Sequence, residues 1–504
     1  MNVLNSAWPL PAQARRWPAP SLWVAMLLGL CLALAIVSWP VPGMLAPLGL
    51  AALVLVIRQP HFLMVAFAVS LAVPIQHSLA GLPVNATDGL LVLWLLLLPV
   101  LSIWQRARRS QAGMDTRWHV PSIVWFILPF VVVVVLAQLG SINPSASIKQ
   151  VMRVIEWFVL LPVLLSSLLP DARFQRFMGV ALMVVPCLFA IDGMVEYLNN
   201  GRALTGMLGI SVPVPEGGDQ QIRHTFDVSG RAGSTFGGAQ GLAMYLVMSM
   251  SLAMAHIARP PVAWLRGLAL VCLAICLGGL VVAKSRGGLL GGLAVLLVMT
   301  LALRPRLKVV GAVGLLMALL VAALALGMWP SWDGSLQGLV PGRPEAVLDR
   351  LIIWGKVLEV ASQNPILGVG LGNFRDAFFA SEPWLHVELG YPSLHAHNTY
   401  LELLADTGIV GLSAYVCFIV LVVRRLRQRW VEPGGGSVFT LAAMGSLGAY
   451  LVFAAVDMLL LQNMHMLLVM ILTLGLTQPW AARLGVSQAT PQPAVGTKAA
   501  GARP

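Results

Sequence analysis

Charge is scarce in this sequence. Only 10% of its residues are Asp, Glu, Lys or Arg, while 58% are hydrophobic; a soluble protein carries about 25% charged residues. So little polar surface excludes an ordinary soluble enzyme. Cysteine is scarce too. All five (Cys31, Cys187, Cys272, Cys276, Cys417) fall inside apolar runs, with neither a disulfide framework nor a zinc spacing. Cys272 and Cys276 share one helix face and read as small packing residues. No Asp-x-Asp pair occurs, so the sequence does not suggest a metal-bound diphosphate, and it implies neither metal nor cofactor. The first apolar run, near 22–40, is too long for a signal-peptide core. It ends in "SWPVPG" rather than a small-residue cleavage site, so it reads as a span.

What is there is oil in long stretches. Apolar runs recur from Ser21 to Trp480, each near the length that crosses a bilayer as a helix. The expected fold is an all-α polytopic membrane protein of twelve to fourteen transmembrane helices. The candidate spans are roughly 22–40, 44–57, 62–80, 88–104, 120–139, 151–169, 177–198, 237–258, 264–283, 287–303, 308–329, 404–423, 438–460 and 464–480. The second is short enough to be re-entrant.

The net charge of +12 suits basic cytoplasmic loops better than a nucleic-acid partner. The clusters at Arg15–Arg16, Arg58, Arg106–Arg117, Arg173/Arg176, Arg259/Arg266, Arg304–Lys308 and Arg424–Arg429 all fall on one side if the N-terminus is inside, as the positive-inside rule requires. The expected organisation is a cytoplasmic N-terminus (1–20), a helical core (21–329), a large external loop (330–403), C-terminal helices (404–480) and a disordered cytoplasmic tail (481–504).

Against this background one stretch stands out, "LHAHNTYLELLADTGIVG" (394–411). It sets His395 and His397 beside Asn398, then Glu402, Asp406 and a glycine pair, Gly408 and Gly411. Asn398 is a candidate N-cap for the helix that follows. Neutral imidazole accepts a proton near pH 7, so His397 is a candidate general base. Glu402 and Asp406 follow on the same side of that helix, where they either hold the imidazole or sit solvated at a helix start.

The same topology brings cations to the external side, which the positive-inside rule empties. Arg231 lies in "SGRAGSTFGGAQ", Lys284 and Arg286 in the turn "AKSRGGLLGG", and Arg350 opens "DRLIIWGKVLEVASQNPILGVGLGNF" with Trp354. Arg286 needs an anionic partner there, unless it snorkels to a lipid headgroup. Arginine grips phosphate or diphosphate by forked hydrogen bonds and stabilises a departing diphosphate electrostatically. "GVGLGNF" (368–374) follows no strand pattern, so its glycines read as turn formers rather than a nucleotide loop.

These residues together resemble the O-antigen ligase and O-antigen polymerase superfamily. "HAHNTYLELLADTGIVGL" is similar to its histidine motif: His-Asn, nine residues, Gly, two residues, Gly. "AKSRGGLLG" looks like its Ser-Arg-Gly turn, "GRAGSTFGGAQGLAMYL" like its earlier arginine segment, and "RLIIWGKVLEVASQNPILGVGLGNF" like the opening of its large periplasmic loop. The resemblance implies a GT-C-like, metal-independent glycosyltransferase in the bacterial inner membrane, active on its periplasmic face. Its donor would be an undecaprenyl-diphosphate-linked glycan. The acceptor would be lipid A-core for a ligase of lipopolysaccharide biosynthesis, or another lipid-linked repeat for a polysaccharide polymerase. Carried over, Arg231 and Arg286 bind the diphosphate and His397 activates the acceptor hydroxyl. Lys284, Arg350, His395 and Asn398 are expected to contact substrate. Leu412-Ser413 stand where ligases often carry two threonines, which leaves ligase and polymerase both open.

Two other classes compete. A transporter or flippase of lipid-linked sugars would place charge near the bilayer midplane, for which Asp192, Glu196, Arg153, Glu156 and Asp457 are candidates, although Arg153 and Glu156, three apart on one helix, read as a local ion pair. A structural partner in a polysaccharide-assembly complex would not need the His and Arg cluster.

Overall fold

A computed structural model describes residues 66–68, 70, 76–79, 82–85, 89–96, 120–168, 172–204, 231–236, 238–303, 345–381, 395–432, 436–457 and 464–477. The expected N-terminal segment, the spans near 22–40, 44–57 and 308–329, and the tail lie outside the described residues.

Helix dominates, as the apolar runs imply. Five described helices are long and apolar enough to cross a membrane. The bundle is built from α1 (Ser122–Leu136), α2 (Pro144–Ile155), α3 (Leu161–Leu168), α4 (Ala172–Leu198), α5 (Ala239–Ala258), α6 (Ala263–Ala283), α7 (Arg286–Ala302), α8 (Glu345–Gln363), α9 (Phe374–Ser381), α10 (Thr399–Val431), α11 (Val438–Ala454) and α12 (Met464–Leu476). A turn of π-helix, Glu156–Leu160, joins α2 to α3. One departure from the all-helical expectation is a small antiparallel hairpin. β1 (Gln76–Leu79) pairs with β2 (Leu82–Asn85), Leu79 opposite Leu82. The span expected at 62–80 therefore does not run helical to its end. Pro74 precedes this stretch and Pro83 lies within β2, and neither can donate a helical backbone hydrogen bond.

Local sequence explains where helices start. Asn143 caps α2, its side chain accepting the Ala146 N–H, with Pro144 at the first helical position, where a missing N–H costs nothing. Ser285 caps α7 by accepting the Gly288 N–H at 3.1 Å. Ser437 caps α11 by accepting the Thr440 N–H at 3.0 Å. Such caps typically contribute about 1 kcal/mol each.

α5 is apolar all round and almost wholly buried, as a helix without a polar face must be. It packs on α4, α6, α7, α11 and α12. Small residues permit the close approaches: a Cβ at Gly279 would lie 2.7 Å from that of Ala190, the tight packing that membrane helices rely on. Outer helices present oil instead. Trp125 and Val132 on α1 and Val416 and Val420 on α10 are exposed. Faces like these would aggregate in water but suit lipid.

The antiparallel connections give the bundle two chemically distinct ends. At one, the Arg259 guanidinium stacks over the Trp430 ring at 4.2 Å and donates to Gly436 O at 2.5 Å. Trp430 Nε1–H donates to Ala302 O at 3.2 Å. This end carries the basic clusters that follow α5 and close α10. The candidate site lies at the other.

Candidate active site

The histidine loop is tied to two helices at once. The Asn398 side-chain oxygen accepts the Tyr400 and Leu401 N–H groups at 3.0 and 3.1 Å, so it is the N-cap that the sequence suggests. Its amide nitrogen donates to Ala455 O at 3.1 Å. Thr399 Oγ1 donates to Asp457 O at 2.9 Å, and Tyr400 O–H to Leu451 O at 3.0 Å. These bonds fasten the start of α10 to the end of α11. Asn398 thus has both ends of its carboxamide engaged by the protein, which makes it a positioning group in this arrangement. Because of its cap, α10 starts at Thr399 rather than at the first apolar residue of the run 404–423.

Between these anchors His397 takes a left-handed backbone conformation, φ +48°. That costs a non-glycine residue roughly 1–2 kcal/mol, and such strain clusters at functional sites. Its Nδ1 lies 3.2 Å from Asp457 Oδ1. Donation from Nδ1–H to this carboxylate leaves the Nε2 lone pair free to take a proton. Sequence reasoning singled out Asp457 only as a possible intramembrane charge and missed its place beside His397. Its only signal was an isolated acid at the end of an apolar run, sixty positions from its partner.

A second imidazole–carboxylate pair stands beside the first. His395 Nδ1 lies 3.0 Å from Glu402 Oε1, and the Ala396 N–H donates to Glu402 Oε2 at 2.8 Å. Glu402 is buried, while the His395 side chain is 45% exposed. Burial works against charge on His395. The hydrogen bond and charge of Glu402, with the charges of Asp406 and Asp457 behind them, outweigh it and hold the imidazole above its ordinary value.

The glycine-rich stretch 368–374 braces the loop from below. α10 is interrupted at Gly408, φ +64° and ψ −170°. The chain between α8 and α9 fills the gap. Ile409 N–H donates to Pro365 O at 2.9 Å, Val369 N–H to Ala405 O at 3.0 Å and Gly370 N–H to Asp406 O at 2.9 Å. The Asp406 carboxylate accepts from Gly372 N–H at 2.7 Å and Phe374 N–H at 2.8 Å. A broken helix at membrane depth is tolerated only when its freed backbone groups find partners in this way. A Cβ at Gly408 would collide with the Ile366 carbonyl, and one at Gly368 with the Asp406 backbone. The glycines are therefore backbone contacts, as expected, and the motif glycine Gly408 is their receptor. Trp354 on α8 adds a further tie, its Nε1–H donating to Ala396 O at 2.8 Å.

The cationic stretches converge on the same end of the bundle. Arg231 Nε donates to Ala283 O at 3.5 Å, and Ala232 N–H to Val282 O at 3.1 Å. This segment is held by two acids of α4. Glu196 accepts the N–H groups of Gly233 and Ser234 at 3.0 and 2.7 Å, and Asp192 accepts the Ser234 hydroxyl at 2.6 Å. Lys284, left-handed at φ +45°, closes α6 with its Nζ 5.0 Å from the centre of the Tyr197 ring. Arg286 then opens α7 and is exposed. Its neighbour Gly287 lies against the Phe453 ring, 3.1 Å from where a Cβ would be. Phe453 O accepts the Asp457 N–H at 3.0 Å. A continuous chain of contacts therefore runs from Arg231 through the α6–α7 turn and Phe453 to Asp457 and His397. Arg350 lies in α8, with its side chain outside the described residues. Of the candidate midplane charges of a transporter, Asp192, Glu196 and Asp457 belong to this one end. Among the described residues, no group of three or more His, Cys, Asp and Glu side chains is arranged to hold a metal ion.

A multi-pass helical membrane protein that gathers arginines and carboxylate-braced histidines at one end has the make-up of a membrane transferase. The O-antigen ligase family model matches residues 271–416, which supports the resemblance to the O-antigen ligase and polymerase superfamily over that part of the chain. The match takes in Arg286, Arg350 and the histidine loop. Arg231 and Asp457 lie outside it and join the site through the contacts just described. No curated protein matches the chain.

Proposed function

We propose that this protein transfers a glycan from a polyprenyl-diphosphate donor, of the undecaprenyl type, to a hydroxyl of lipid A-core or of another lipid-linked glycan. The reaction takes place on the periplasmic face of the bacterial inner membrane. Glycosyltransferase chemistry of the O-antigen ligase and polymerase type follows from the family; the donor, acceptor and face are our reading. The observation that carries it is the His397–Asp457 pair, joined by contacts to the arginine-bearing turn.

In this mechanism His397 Nε2 takes the proton of the acceptor hydroxyl as its oxygen attacks the anomeric carbon. The bond from that carbon to the diphosphate oxygen breaks, and the departing diphosphate keeps the electron pair. Asp457 holds the tautomer and stabilises the imidazolium that forms. Arg231 and Arg286 grip the diphosphate through forked hydrogen bonds, with Lys284 and Arg350 adding positive charge. Because the arginines meet the growing charge, the step requires no metal ion. Asn398 acts by fixing the loop.

The test is transfer by the purified full-length protein in lipid nanodiscs, supplied with a lipid-diphosphate-linked glycan and an acceptor lipid. The expected result is acceptor-linked glycan together with free lipid diphosphate. Donor that stays intact, or that only changes leaflet, would remove the proposal.

A further inference from the structure

The mechanism above uses His397 and leaves the second imidazole, equally well built into the loop, without a task. We propose that His395 is a third grip on the donor's diphosphate, donating its Nε2–H to a phosphoryl oxygen while Glu402 holds the opposite edge of the ring. The inference deepens the transferase reading of this site and rests on it.

The geometry of Glu402 argues for it. Glu402 is only 3% exposed, and both of its oxygens are in use, one by His395 Nδ1 and one by the Ala396 N–H. A buried carboxylate is costly unless a cation or several hydrogen bonds compensate it. Among the described residues, the cation available to it is the His395 ring. With Nδ1 committed to Glu402, Nε2 lies on the opposite edge of the ring, and the side chain is 45% exposed.

The surroundings carry one sign. Glu402 and Asp406 face His395 from α10, and Asp457 from the end of α11. Together they overcome the burial that works against the charge. A positive group at the end of the bundle that also carries the arginine-bearing turn serves the donor, which arrives with its diphosphate ionised. A raised value favours the charged form of this ring, which suits it to holding charge rather than to taking the acceptor's proton. The two histidines thus divide the work: His397 takes a proton, and His395 holds charge.

The consequence is a pH dependence of binding rather than of chemistry alone. A histidine with a raised value is charged at low pH and loses its proton as pH rises through that value. Donor binding should therefore weaken toward alkaline pH. A charge-assisted hydrogen bond to an anion corresponds to roughly 10- to 100-fold in affinity.

The experiment uses the full-length protein in nanodiscs and a farnesyl-diphosphate-linked sugar. Its diphosphate is a diester and stays ionised from about pH 6 to about pH 9, so a slope across that range belongs to the protein. The wild type should lose at least about tenfold in affinity across this range. His395→Gln should bind with a flat profile at the wild type's alkaline level. Glu402→Gln, which keeps an acceptor for the Ala396 N–H, should move the midpoint to lower pH. His397→Gln should keep the wild-type slope. A flat wild-type profile, or an unchanged slope in His395→Gln, would overturn this inference and leave the transferase reading intact. Absence of binding by the wild type at every pH would overturn both.

Discussion

Asp457→Asn is the substitution that probes the site most sharply, because it changes one charge and almost no volume. In the mechanism, Asp457 faces a neutral ring before proton transfer and an imidazolium after it. The Nδ1–Oδ1 contact is 3.2 Å, so the charge centres lie about 4–5 Å apart. At an effective dielectric of about 20 that separation corresponds to roughly 3–4 kcal/mol. The His397 side chain is 41% exposed, and solvent screening reduces the figure by about half. About 2 kcal/mol of transition-state stabilisation remains, or roughly 30-fold in kcat. Deleting the base itself, in His397→Ala, should cost about 10²–10⁴-fold. The assay is single-turnover glycan transfer in nanodiscs, with donor binding measured separately. Asp457→Asn should lower the rate about 30-fold when the donor is saturating. The double variant should be no slower than His397→Ala, since residues that act as a unit are not additive. A full-rate Asp457→Asn enzyme, or losses that multiply in the double variant, would refute the pairing.

Arg286→Ala should abolish transfer and Arg286→Lys should restore it poorly, because lysine lacks the fork; near-normal transfer by well-expressed Arg286→Ala would contradict this. Gly408→Ala should destabilise the protein by at least about 1 kcal/mol from its positive φ alone, with the collision against Ile366 adding to it; an unchanged melting temperature would contradict the bracing of α10. Reporter fusions at Gly218 and Ser393 should read as periplasmic and a fusion at Arg427 as cytoplasmic; a cytoplasmic signal at Ser393 would put the histidines in the wrong compartment.

The sequence disclosed what is local. Runs of oil mark helices because lipid demands them, and Asn398 is legible as a cap because its partners, Tyr400 and Leu401, are two and three residues on. Glu402 is readable beside His395 for the same reason. What was hidden depends on residues far apart in the chain. The spacing of Gly408 is visible, but its cause is not, since the backbone that fills the break comes from residues 365–370. Asp192 and Glu196 look like intramembrane charges until the 231–234 segment is laid against them. Asp457 is an unexplained acid until α11 returns it to His397. The hairpin at Gln76–Asn85 was masked by a hydropathy that matches a span, although its prolines argued against a continuous helix.

The central claim is that the arginine–histidine end of the bundle carries out glycan transfer with His397 as base. Its most direct measurement compares wild type and His397→Ala, each purified in nanodiscs and saturated with a lipid-diphosphate-linked glycan. The account predicts that both bind the donor, that the wild type forms the acceptor–glycan bond and releases lipid diphosphate, and that His397→Ala does so at least about 10²-fold more slowly. Transfer by His397→Ala at the wild-type rate would contradict it.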